Sequence, residues 1–177
     1  VSIGASAFFV NTYLTSINIP SSVTYIGVNA FAGCTNLISV SISNSITYID
    51  TNAFQVCTSL TSINIPSSLT NIGSYAFSGC TSLINITVNS YISNFDYGFF
   101  GVNNVGLEIT FNYNGIIPNA ACNGLSNMTN VVIGPYITGI SNYAFQSCYG
   151  LTNILIPNSV QTIGQAAFNA CHGLTSI

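Results

Sequence analysis

Apolar positions recur along this chain on two superposed spacings. From Leu60 to Cys80 it reads LTSINIPSSLTNIGSYAFSGC. Ser62-Ile63-Asn64-Ile65 alternates polar and apolar, the pattern of a strand with one buried face. Pro66 ends it, since proline cannot donate to a ladder. Ser67-Ser68 then turn the chain, and Leu69-Thr70-Asn71-Ile72 predicts a second extended segment. Gly73 gives the backbone freedom before Ala76-Phe77, which open a compact turn. A unit this short has no room for a long helix and predicts a short helical or 3-10 turn.

The unit repeats. With Ile72 as position 1, its equivalents are Ile3, Ile26, Ile49, Phe95, Ile117, Ile140 and Ile163, spaced by 23 residues except for one 22 between Phe95 and Ile117. This makes residues 1–177 one array of seven full repeats and a partial eighth. The recurring core is Leu37-Val40-Ile42, Leu60-Ile63-Ile65, Leu83-Ile86-Val88, Met128-Val131-Ile133 and Leu151-Ile154-Ile156. An L-x-x-L-x-L core at such a period marks a leucine-rich repeat solenoid. The expected fold is an α/β repeat solenoid, right-handed, with a parallel sheet on its concave face and helical or 3-10 turns on its convex face.

Stacking places like on like. Phe8, Phe31, Phe54, Phe77, Phe100, Phe145 and Phe168 predict an aromatic ladder, with the small Ala7, Ala30, Ala53, Ala76, Ala144 and Ala167 beside it. Rungs about 4.8 Å apart give a stack roughly 35 to 40 Å long. The fifth repeat departs from the pattern. Phe99 stands where alanine belongs, Asn103 replaces cysteine, and Gly106 replaces leucine, with Leu107 one place later. The sixth puts Cys122 where phenylalanine belongs. Phe99 and Cys122 read as a compensating swap, against the alternatives of plain repacking or a functional patch.

Ile26-Gly27, Ala30-Phe31 and Cys34, with Pro20, Ser22, Val23 and Thr24, resemble the BspA-like leucine-rich repeats. Asp50, Asp96, Pro118 and Ser141 depart from that pattern at the glycine. The resemblance implies an extracellular or cell-surface location and a role in adhesion or contact, with protein or glycan ligands.

Charge narrows the function classes. Lys and Arg are absent, and only Asp50, Asp96 and Glu108 are acidic, so 2% of residues are charged where about 25% is usual. Nucleic-acid binding needs cations to neutralise phosphate, and a membrane-surface patch needs them too; neither is expected. No apolar run approaches the roughly 18 residues of a membrane-spanning helix.

Chemistry finds few footholds. Cys34, Cys57, Cys80, Cys148 and Cys171 share position 9, which reads as a column of small apolar residues. Disulfides between adjacent repeats and a metal site are the alternatives. His172 has no partners at ligand spacing. The acidic residues are dispersed, no organised base serves a nucleophile, and the glycines form no phosphate loop. The chain is therefore read as non-enzymatic, without cofactor or metal. Asn85-Ile86-Thr87 and Asn127-Met128-Thr129 are glycosylation sequons, with Asn85 and Asn127 the acceptors.

The outward strand positions are the candidate contact surface. Ile84, Asn85, Leu107, Glu108, Thr129 and Asn130 are singled out because Ile84 and Leu107 interrupt a polar column and Glu108 is the face's one charge. The aromatic group Tyr91, Tyr97 and Phe99 is the fallback. The chain starts and stops in mid-repeat, which predicts either further repeats beyond it or ends covered by neighbours. End-to-end association into filaments is the rival reading to adhesion, with light scattering on the intact chain as its check.

Overall fold

Two ladders of parallel strands run along the stack. The computed structural model describes residues 1–92 and 106–176. The long-strand ladder holds β2 (Ser16–Ile19) and β4 (Ser39–Ile42), paired in one sheet, then β6 (Ser62–Ile65), β8 (Asn85–Val88), β9 (Leu107–Phe111) and β11 (Met128–Ile133), paired in a second. Bridges Val132↔Leu155 and Asn153↔Ser176 continue it. The short-strand ladder holds β1 (Ser2–Ile3), β3 (Tyr25–Ile26), β5 (Tyr48–Ile49) and β7 (Asn71–Ile72), then β10 (Gly115–Ile117), β12 (Ile137–Ile140) and β13 (Thr162–Ile163). Partners lie one repeat apart, as in Ile63↔Ile86 and Tyr25↔Tyr48. The result is a parallel β-solenoid, with both extended segments of the repeat where the alternation and the proline put them.

The expected helical turns are absent: no helix occurs among the described residues. Positions 4 and 8 of the repeat prevent one, because both are left-handed. Asn29, Asn52, Tyr75 and Tyr143 have φ of 55 to 60°, and Gly33, Val56, Gly79 and Ser147 have φ of 57 to 76°. Between them the chain makes successive tight turns, such as Ala30 N–H to Gly27 O at 3.1 Å. Alternate amides reach the next repeat instead, as with Asn29 to Thr51 O at 3.1 Å, Phe31 to Ala53 O at 2.7 Å and Gly33 to Gln55 O at 2.7 Å. Buried backbone groups must be paired, and here the neighbouring repeat supplies the partners that a helix would find within itself.

The core is built of columns. Phe8, Phe31, Phe54 and Phe77 stack with centroids 5.0, 5.1 and 5.3 Å apart and planes within 5°. All six cysteines are free. Five donate a thiol hydrogen bond to a carbonyl of the preceding repeat: Cys34 to Phe8 at 3.1 Å, Cys57 to Phe31 at 3.2 Å, Cys80 to Phe54 at 3.1 Å, Cys148 to Cys122 at 3.1 Å and Cys171 to Phe145 at 3.0 Å. The thiol column is thus both packing and weak donor, which a small apolar reading understates.

The short fifth repeat is absorbed by two register shifts. Met128 pairs with Leu107 and Asn130 with Glu108, which leaves Thr129 unmatched. Gly115 pairs with Ile137 and Ile116 with Gly139, which leaves Thr138 unmatched. Phe111 is fully buried and meets Phe145 edge to face, with centroids 6.2 Å apart and planes at 77°. It supplies the ring that the sixth repeat lacks at Cys122. Phe95, Asp96, Tyr97, Phe99, Phe100, Asn103 and Ile177 lie outside the described residues, so the swap of Phe99 with Cys122 does too.

Candidate interaction surface

Along the long-strand ladder the inward residues pack and the outward residues form two rows. One row is Ser16, Ser39, Ser62, Asn85, Glu108 and Asn130; the other is Asn18, Ser41, Asn64, Thr87, Thr110 and Val132. All are exposed or half-buried. Alternation of side chains across a strand puts both rows on one face.

The six singled-out residues do not all reach that face. Ile84 is 43% exposed and leads into β8, Asn85 is exposed, and Glu108 and Asn130 are neighbours on adjacent strands. Asn130 Nδ2 donates to Glu108 Oε2 at 2.6 Å, so the carboxylate is already engaged. Thr129 is pushed outward as the extra residue of the bulge. Leu107 corrects the expectation: it is only 3% exposed. Gly106, with φ of 81°, turns the chain so that Leu107 enters the core in register with Met128. Leucine fills the place that glycine vacated, and no residue of that repeat is left to match Thr129.

Other residues take over the apolar role. Val132 and Leu155 are bridge partners on the same face and are 41% and 82% exposed. They interrupt the polar row as Ile84 interrupts its own, so the signal that drew attention to Ile84 was present here as well. At the strand exits the amides form a chain. Asn89 Nδ2 donates to Asn64 Oδ1 at 2.6 Å and Asn112 Nδ2 to Asn89 Oδ1 at 3.2 Å. Amide ladders of this kind hold side chains in one geometry and leave fewer donors free.

The sequence profile of the BspA type leucine rich repeat region matches residues 1–114 and 115–177, in 6 copies. The chain belongs to the BspA-type leucine-rich repeat family. No curated protein matches its sequence. Among solved structures, a leucine rich repeat protein of T. pallidum shares 26% identity at a TM-score of 0.57, covering 98% of this chain and 71% of its own. A leucine-rich repeat protein of Eubacterium ventriosum shares 24% at a TM-score of 0.70, with 88% and 42% covered. One of Bacteroides ovatus shares 22% at a TM-score of 0.56, with 98% and 59% covered. The last two likenesses show the fold, and this chain spans less than two thirds of either.

The electrostatics of this BspA-type array are sparse. Tyr25 donates a short hydrogen bond to Asp50 Oδ2, and Asp50 Oδ1 accepts from Thr51 N–H at 2.7 Å. The bond to Asp50 pushes the Tyr25 phenol above its ordinary value. Burial pushes the Cys122 and Cys148 thiols well up, and hydrogen bonding with Cys80 followed by burial does the same for Cys57. Thiolates are the nucleophiles and metal ligands, and these thiols are held in the opposite form. Among the described residues no group of three His, Cys, Asp or Glu could hold a metal ion, and no helix is long and apolar enough to cross a membrane. Of the sequon asparagines, Asn85 is exposed on β8 and Asn127 is half-buried just before β11.

Proposed function

We propose that this chain is a non-enzymatic interaction module of the cell surface or extracellular space, binding a protein or glycan partner through its long-strand face. The contact centres on Ile84, Asn85, Glu108, Thr129 and Asn130 and extends to Val132 and Leu155. The observation that carries the reading is that bridge-paired apolar couple, Val132 and Leu155, set in a polar face whose one charge is Glu108. Exposed apolar residues rimmed by polar ones mark contact sites, and solenoids commonly bind on the concave side of the coil. A face whose one carboxylate is bonded to Asn130 recognises its partner by hydrogen bonds and apolar contact, so binding should be insensitive to salt.

The test uses the intact chain, immobilised and probed with extracellular-matrix glycoproteins and an array of neutral glycans. Wild type is expected to capture a defined subset. Replacing Ile84 by Ser together with Leu155 by Asn should weaken capture roughly tenfold, with an unchanged circular-dichroism melt. Undiminished capture by the folded double variant would remove this face from consideration.

A further inference from the structure

The outer side of the short-strand ladder differs between the two halves of the chain. In the C-terminal half it has a cavity of about 280 Å³ lined by Ile116, Asn119, Ser141, Asn142, Thr162 and Ile163 among others. In the N-terminal half the corresponding space is crossed by a side chain. Tyr25 and Ile116 hold the same repeat position, each just before the position-1 isoleucine of its short strand. Asp50 and Ser141 likewise each follow that isoleucine one rung further on. Tyr25 reaches across the rung and donates its phenol hydrogen to Asp50, with the Tyr48 ring stacked on it at 5.5 Å. Ile116 is too short to make that crossing, and the Ser141 hydroxyl stands where the Asp50 carboxylate would be.

We propose that this cavity receives the side chain of a tyrosine from a partner polypeptide, which takes the space that Tyr25 fills in the N-terminal half, with Ser141 in place of Asp50 and no second ring to stack on, since Gly139 stands where Tyr48 would. The ring lies against Ile116 and Ile163, which are 43% and 53% exposed. Its hydroxyl donates to Ser141 Oγ. Polar groups at the rim serve the peptide: Asn119 is exposed, and Asn142, whose Oδ1 accepts from Gln165 N–H at 2.7 Å, has its amide nitrogen left to donate. The volume suits one ring, being at the small end for ligand pockets. With no Lys or Arg in the chain, the neutral phenol is favoured over its phosphorylated or sulfated forms, which need a cation. The site lies on a different ladder from the long-strand face and stands independently of it.

The test is a titration of N-acetyltyrosinamide into the intact chain, followed by amide chemical shifts. Changes are expected at Ser141, Asn142, Thr162 and Ile163. The phenylalanine analogue should bind about threefold or more weakly, for want of the hydroxyl bond. Ile116→Tyr fills the cavity with a residue that this position already accepts at Tyr25 and Tyr48, and should weaken binding at least about tenfold. Ser141→Asp restores the N-terminal arrangement and should tighten binding of the tyrosine analogue about threefold or more, with no gain for phenylalanine. Equal affinity of wild type and Ile116→Tyr overturns the proposal. So does a Ser141→Asp effect shared by both analogues, or a response to methyl glucoside in place of the phenol.

Discussion

The two halves of the solenoid solve the same packing problem differently. In repeats one to four, four phenylalanine rings stack almost coplanar at 5.0 to 5.3 Å, and the inward strand and turn positions are filled by similar apolar residues. In repeats six and seven the stack is interrupted at Cys122, and Phe111 enters from the strand side to meet Phe145 edge to face. Phe31, Phe54 and Phe77 in the first arrangement and Phe111 and Phe145 in the second are fully buried, while Phe8 is half-buried. The core therefore demands filled volume rather than a fixed residue at each position, in keeping with close-packed interiors that tolerate volume-conserving change. On the surface the outcome differs. Regular repeats close the groove beside the short ladder with Tyr25 and Tyr48, while the irregular half leaves a cavity there and turns Val132 and Leu155 outward.

The largest effects should come from breaking the ring columns. Phe54→Ala is expected to cost about 3 to 5 kcal/mol, as for other buried aromatic truncations. Phe111→Ile, which installs the residue found at the same ladder position in Ile65 of β6 and Ile133 of β11, should leave a void beside Cys122 and cost about 2 to 3 kcal/mol. Adding Cys122→Phe restores the regular column and should recover at least about 1 kcal/mol of that loss. Denaturant melts of the double-mutant cycle measure the coupling. Strict additivity would show that Phe111 does not stand in for the missing ring.

Alkali should unfold both halves through the thiol column. The folded state raises the pKa of Cys57, Cys122 and Cys148 above the ordinary value of 9.0, so the unfolded chain loses these protons first. Their contribution to stability is complete below about pH 9 and declines as pH rises through the folded values. Each such thiol adds a slope of about 1.4 kcal/mol per pH unit above that point. Urea melts at pH 7, 9 and 10 check this: equal midpoints at 7 and 10 would contradict the burial. Before unfolding, a thiol reagent should modify half-buried Cys171 well ahead of the other five.

How much could be read from the sequence followed from how each feature is encoded. Ser62-Ile63-Asn64-Ile65 showed its strand because alternation across a sheet has a period of two, and the 23-residue spacing fixed which residues would stack. The turn was misread as helical because left-handed backbone at positions 4 and 8 is carried by Asn, Tyr, Val, Ser and Ala as well as by Gly, so composition does not announce it. Leu107 was misplaced for a related reason. Residue counting from Phe95 puts it outward, but burial of a leucine outweighs strict register, and the mismatch emerged one strand later as the bulge at Thr129. For the candidate surface, outward positions were legible, while the Glu108–Asn130 bond and the cavity at Ile116 depend on side chains from different repeats meeting.

The smallest expected effect tests that turn directly. Position 8 is glycine at Gly33 and Gly79, with φ of 76° at both, but Val56 between them has φ of 57°. A β-branched residue is poorly suited to the left-handed region, where an L side chain costs roughly 1 to 2 kcal/mol. Glycine removes that cost but gains chain entropy when unfolded, which returns up to about 1 kcal/mol. Val56 is partly exposed, so little apolar burial is lost on its removal. Val56→Gly should therefore stabilise the chain by about 0.5 kcal/mol, whereas Gly79→Val should destabilise it by a comparable or larger amount. Paired thermal melts of the two variants decide the matter. If Val56→Gly melts lower than wild type, backbone strain at position 8 is outweighed by side-chain packing, and the regular half is held together at its turns as well as in its columns.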